Sequence, residues 1–129
     1  MKAALELHDS RVSQITLARR VMTLCFSHTY IHKSSGAPGK DPGTGWSQEA
    51  QLVLAEVQDF PSPPAIPNTI SEGYLEVGAI RHELIPLPFR RRGRATLALV
   101  FADGGQFEIH GERPFIELLG SAKFLEDVP

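Results

Sequence analysis

The stretch Ala95-Thr96-Leu97-Ala98-Leu99-Val100-Phe101, then Asp103-Gly104-Gly105, then Phe107-Glu108-Ile109-His110 decides the fold class of this 129-residue chain. Apolar residues fall at every second position in both arms, the period of a strand with one buried face. Glycine tolerates the positive φ of a tight turn, so the stretch reads as a β-hairpin. The 3.6-residue period of an amphipathic helix is hard to find in the rest of the chain, and an all-β domain is the expectation.

Outward from the hairpin, the same alternation recurs in short runs. Leu75, Val77 and Ala79 form one. The Leu84-Ile85-Pro86-Leu87-Pro88 run follows, and its prolines confine it to an edge or a corner. Ile116 and Leu118 mark another strand, and Phe124 and Leu125 begin the last. Near the N-terminus, Leu5 and Leu7, the turn chemistry of Asp9-Ser10, then Ile15 and Leu17 up to the Arg19-Arg20 turn suggest a further hairpin. Met22, Leu24 and Phe26 share one face of the next strand, which is expected to run on toward Tyr30.

Two breaks organise these runs. Ser34 to Gly45 holds four Gly and two Pro in twelve residues and cannot form a regular element. Phe60 to Pro67 holds four Pro in eight and reads as an extended crossover between two halves, 1–59 and 68–129, of one domain. Residues 47–59 fit either a helical stripe behind Ser47 or an alternating strand, and strand is preferred because the neighbours are strands. The halves echo each other in Leu5-Glu6-Leu7 against Leu75-Glu76-Val77 and in Met22 to Phe26 against Leu97 to Phe101. About eight to ten short strands then make an antiparallel barrel or a two-sheet sandwich, with a duplicated meander as one route to it.

Composition narrows the classes. With 42% hydrophobic residues the chain is not disordered, and its single cysteine, Cys25, excludes an internal disulfide framework. The apolar runs fall far short of the ~20 residues of a spanning helix and no apolar signal segment opens the chain, so the expected location is the cytoplasm, off the membrane. A net charge of -2 gives no overall pull toward nucleic acid.

Individual side chains offer candidates. His8-Asp9-Ser10 has the residue types of a hydrolase triad, but neighbours on a strand point to opposite faces and cannot converge. His28, Tyr30 and His32 continue the parity of Met22, Leu24 and Phe26, which would place them in the interior or its mouth. A shared metal is excluded on a strand, where residues four apart lie roughly 13 Å from each other. Trp46, the only tryptophan, closes the Gly/Pro loop and packs over a core edge or offers an aromatic platform. Around Lys40 the loop looks like a phosphate loop but fails its pattern, with Asp41 where Ser or Thr is needed. Arg90, Arg91, Arg92 and Arg94 place four positive charges in five residues, a solvated turn or a contact for an acidic partner. Glu108, His110 and Glu112 belong to a solvated face, Cys25 is an inert packed thiol, and Arg81 and Glu83 pair across His82.

Taken with these residues, Leu7-His8-Asp9-Ser10, Phe26 to Ser34, Thr44-Gly45-Trp46-Ser47-Gln48, Ile85-Pro86-Leu87-Pro88 and Glu117-Leu118-Leu119-Gly120 give the chain a family resemblance. It resembles a family of small bacterial all-β proteins with no assigned activity. In its His-Asp-Ser turn it is also similar to immunity proteins of polymorphic-toxin systems. The resemblance implies a compact all-β domain and a strand over residues 46–59, and carries over no catalytic residue.

The functional expectation is a non-catalytic binding or protein-interaction domain, immunity-like in its sharpest form. It would engage a protein or small ligand through His28, Tyr30, His32 and Trp46, with Arg90, Arg91, Arg92 and Arg94 as partner contacts. No catalytic residue, metal or cofactor is expected, and the chain would be a monomer or homodimer. The alternative is a small enzyme or ligand-binding barrel using His28, Tyr30 and His32 at a cavity mouth; nucleic-acid binding through Arg90–Arg94 ranks third.

Overall fold

A computed structural model describes all 129 residues, Met1–Pro129. It contains eight strands and no helix: β1 (Lys2–Ala18), β2 (Val21–Ser34), β3 (Gly43–Ala55), β4 (Asn68–Val77), β5 (Ile80–His82), β6 (Leu84–Leu87), β7 (Arg94–Phe101) and β8 (Gln106–Val128). All pair antiparallel in one sheet of order β5-β4-β7-β8-β3-β2-β1-β6, and a further β4–β1 pairing closes six of them into a ring. The closing seam is short, Arg11 with Thr69 and Val12 with Asn68. Beyond it β1 and β4 part, and each takes its own small partner, β6 along Ala3–Glu6 and β5 along Leu75–Val77.

Two three-stranded meanders, β1-β2-β3 and β4-β7-β8, occupy equivalent places in the ring. The echoing segments of the sequence lie in matching strands, Leu5-Glu6-Leu7 in β1 against Leu75-Glu76-Val77 in β4, and Met22–Phe26 in β2 against Leu97–Phe101 in β7. The crossover runs through residues 56–67, which carry no element because proline cannot donate to a ladder. A cluster of 20 buried residues, Leu7, Leu24, Leu52, Leu75, Leu97 and Phe107 among them, fills the ring.

Three expectations are corrected by bulges. The proposed N-terminal hairpin is one 17-residue strand, β1, with a register break between Glu6 and Arg11 rather than a turn. Asp9 takes φ 67° there, and the buried Ser10 hydroxyl donates to the Glu6 carbonyl at 2.6 Å, so the Asx/Ser chemistry bends a strand instead of reversing it. In β2 a second break between Phe26 and Thr29 shifts the side-chain parity. Met22, Leu24 and Phe26 are buried before it, Thr29 and Ile31 after it. His28, Tyr30 and His32 therefore leave the face of Met22 and do not line the interior. At the C-terminus the expected separate strands are one 23-residue strand, β8, which pairs first with β7 and then with β3.

The ambiguous segment after Trp46 is strand as far as Ala55, with residues 56–59 in the crossover, and the stretch expected to hold no regular element is corrected at both ends, since β2 runs through Ser34 and β3 begins at Gly43. The intervening loop is short and braced. Ser34, 1% exposed, donates its hydroxyl to the Pro42 carbonyl at 2.8 Å and accepts the Gly36 N–H at 3.0 Å, while Asp41 accepts the Ala37 N–H at 2.6 Å. Replacing Ser34 with Ala leaves the Pro42 carbonyl and the Gly36 amide without this partner. The expected loss is about 1–3 kcal/mol of stability in urea denaturation, with faster amide exchange across residues 36–42.

Candidate functional site

The strands β1, β2, β3 and β8 share two ends, a loop end carrying residues 35–42 and a turn end carrying Arg19-Arg20. At the loop end His28, Tyr30 and His32 stand on the outer face. His28 Nδ1 lies 2.6 Å from the Ser47 hydroxyl. The Tyr30 hydroxyl donates to Glu126 at 3.3 Å, and burial, then the Glu126 charge, hold its pKa above the ordinary value, so it remains a donor. Its path to Glu126 crosses Gly45, where a Cβ would collide with the phenol oxygen. His32 packs against the Tyr30 ring at 4.7 Å, and its Nε2 is buried without a hydrogen bond, 3.6 Å from a Glu6 carboxylate oxygen.

Trp46 belongs to the other face. It stands opposite Ile31 and Phe124 in register, donates its indole N–H to Thr44 at 2.8 Å, meets the Phe124 ring edge-on at 5.4 Å and carries the Lys33 ammonium 4.3 Å above its ring. The four residues expected to act as one site are thus split between two faces of one sheet end. Phe124 and Glu126 complete those faces and were not anticipated, because the bulges in β8 remove the alternation that would have marked them.

At the turn end Arg90–Arg92 do not form a free turn. Phe89, Arg90 and Arg91 run beside β8: the Phe89 carbonyl accepts the Ile116 N–H at 3.0 Å and the Arg91 N–H donates to the Pro114 carbonyl at 3.0 Å. The Arg90 guanidinium sits 4.3 Å over the Phe115 ring and the Arg91 guanidinium 4.4 Å over the Phe89 ring. Arg94 begins β7 opposite Glu112. From the β1–β2 turn Arg20 reaches one oxygen of Glu56 at 3.5 Å, and Arg113 reaches the other at 3.4 Å.

His82 leans against Phe89 at 5.5 Å, and burial, then the Arg91 charge, lower its pKa below 6.5. The unfolded chain therefore takes up that proton first, so stability is complete above about pH 6.5 and falls as pH drops through the window below it. His82→Gln is expected to flatten this part of a pH–stability curve measured by thermal melts. The expected Arg81–Glu83 pairing is corrected: Arg81 bonds Glu76 at 2.8 Å and stacks 4.1 Å over Tyr74.

The other polar candidates stay apart. His8 contacts only its exposed neighbour Asp9, at 3.2 Å, while Ser10 is turned to the Glu6 backbone. His110 bridges Glu108 at 3.2 Å and Thr96 at 2.9 Å on the outer surface. Cys25 is a half-buried free thiol. The largest concavity, about 880 Å³, lies between loop residues Ala37, Pro38 and Lys40 and the Ala3–Ala4 and Leu84–Leu87 segments. Neither it nor the next four is lined by His28, Tyr30, His32 or Trp46. No family model, no curated protein and no solved structure matches this chain.

Proposed function

We propose that the chain is a non-catalytic protein-interaction domain, immunity-like in that it acts by docking on a partner protein. One observation carries the reading. Of the six large hydrophobic residues left exposed, Leu118, Phe124 and Leu125 lie in the second half of β8, and Phe124 is 52% exposed beside Trp46. Aromatic and aliphatic anchors beside polar groups such as Lys33 and Thr44, both against Trp46, are the composition of an interface centre. The interior supports it, because the ring is filled with packed side chains and binding falls to the outer surfaces. Photo-crosslinking tests the reading: benzoylphenylalanine at position 124 is expected to form a discrete adduct with another protein in cells of the source organism, and at Gln106 none. Absence of any adduct at 124 removes the reading.

The 2.6 Å contact between His28 and Ser47 favours a second reading, a hydrolase in which His28 activates the Ser47 hydroxyl. A fluorophosphonate probe that labels Ser47, and not Ser47→Ala protein, would move the assignment there.

A further inference from the structure

The arginines at the turn end form one connected surface. Of nine in the chain, only Arg11 and Arg81 lie elsewhere. Arg20 and Arg113 share the two oxygens of Glu56, and the Arg113 N–H donates to the Gly93 carbonyl at 2.9 Å, which ties the Arg90–Arg94 segment to the same place. The side chains of Arg20 and Arg113 are 53% and 56% exposed despite these bonds. All four lysines are at the loop end or far from this surface: Lys2 pairs with Ser34, Lys33 with Thr44 and Lys123 with Ser47, and Lys40 is in the loop. Arginine, whose fork binds carboxylates two bonds at a time, is thus segregated from the plain ammonium cations.

The backbone is strained at the same place. Of the five non-glycine residues with positive φ, four are Arg19 (51°), Arg20 (62°), Glu56 (52°) and Arg113 (54°). Such conformations are unfavourable for L-residues and persist where the surroundings enforce them, most often at functional sites. Arg19 and Arg20 are the two-residue loop between the paired Ala18 and Val21, with positive φ at both positions. That geometry is the type I′ hairpin turn, whose favoured pairs are Asn-Gly and Asp-Gly. Stability alone would place asparagine and glycine there; Arg-Arg gives up turn stability and sets the Arg20 guanidinium on Glu56, with Arg19 exposed beside it.

The partner's chemistry follows from what surrounds the arginines. The chain as a whole is at -2 although seven arginines lie at this pole, so the remainder is net negative and disfavours a polyanion long enough to run past the pole. Phe89 is 1% exposed and Phe115 lies under Arg90, so no free aromatic platform stands ready for base stacking. We propose that this arginine pole is the docking surface for an acidic protein, and that Arg19 and Arg20 are kept in an unfavourable turn for that contact. The proposal rests on the protein-interaction reading but uses the end of the long strands away from Phe124, so crosslinking at 124 and binding at this pole succeed or fail separately.

The test is the double variant Arg19→Asn, Arg20→Gly, measured by thermal melt and by fluorescence anisotropy with a short poly-L-glutamate and with a DNA duplex of matched length. The melting midpoint is expected to rise by roughly 3–8 °C, the reverse of a typical substitution. Poly-L-glutamate binding at low salt is expected to weaken about 3–10-fold. Arg92→Gln, at an exposed position, is expected to weaken it in the same direction with the midpoint unchanged. Unaltered poly-L-glutamate binding in both variants overturns the docking surface. Tighter binding of the duplex than of poly-L-glutamate overturns the acidic-protein partner, and a lowered midpoint in the turn variant overturns the reason given for Arg19 and Arg20.

Discussion

Phe89→Ala is expected to lower the free energy of unfolding by about 3–5 kcal/mol, one of the largest losses any single substitution in this chain should produce. Phe89 is 1% exposed and stands just outside the strands, between the end of β6 and the start of β7. Its ring joins the twenty-residue core and carries the His82 ring at 5.5 Å on one contact and the Arg91 guanidinium at 4.4 Å on another. Its carbonyl accepts the Ile116 N–H at 3.0 Å, so the ring also anchors the short ladder that holds Arg90 and Arg91 against β8. Truncation removes the ring's burial and leaves a cavity, and nearby strands can close it only by giving up register. Phe89→Leu keeps most of the apolar volume and should lose no more than about 1–2 kcal/mol. Urea denaturation separates the two. A loss below 1 kcal/mol for the alanine variant would mean that the arginine segment is held by its arginine–aromatic contacts and backbone bonds alone.

What the sequence discloses here depends on whether alternation stays in phase. β7 and the first part of β8 are read without error because their ladder, Leu97 with Ile109 and Leu99 with Phe107, has no break. The proline crossover and the Gly104 turn are equally legible, since each rests on a backbone property of one residue type. β1, β2 and the second half of β8 are where reading fails, and each contains a bulge. One extra residue exchanges inside for outside, and no residue type in Phe26-Ser27-His28-Thr29 announces it. The cost falls on the candidate site, because His28, Tyr30 and His32 lie just beyond that break. The four clustered arginines of 90–94 are visible as a charge run, but Arg20 and Arg113 join them only where the fold brings Glu56 between the β1–β2 turn and β8. A turn signal was available: Arg-Arg where the hairpin geometry calls for Asn-Gly is a local misfit of the kind that marks function.

Gly111→Ala should cost about 2–4 kcal/mol, although it adds a single methyl group to a residue that is not at positive φ. Gly111 occupies the place where β8 changes partner: it pairs with Ala95 of β7, and the next residue, Glu112, pairs with both Arg94 of β7 and Ala55 of β3. A Cβ there would come 2.5 Å from the Ala55 carbonyl oxygen and 2.7 Å from the Leu54 side chain. Neither neighbour can yield easily. Ala55 is backbone at the end of β3, and Leu54 is fully buried in the core. β8 must therefore rotate or slide, which disturbs the pairing on both of its sides at once. The same shift would move Arg113 and Glu56, two residues further along and directly across, so poly-L-glutamate affinity should fall together with stability. Gly78→Ala is the control: nothing lies within 4 Å of its Cβ, and only its φ of 62° opposes the change, so the expected cost is about 1 kcal/mol. Equal losses at 78 and 111 in urea denaturation would show that β8 crosses from β7 to β3 with room to spare, and that the strained residues around Glu56 are not held in place by that crossing.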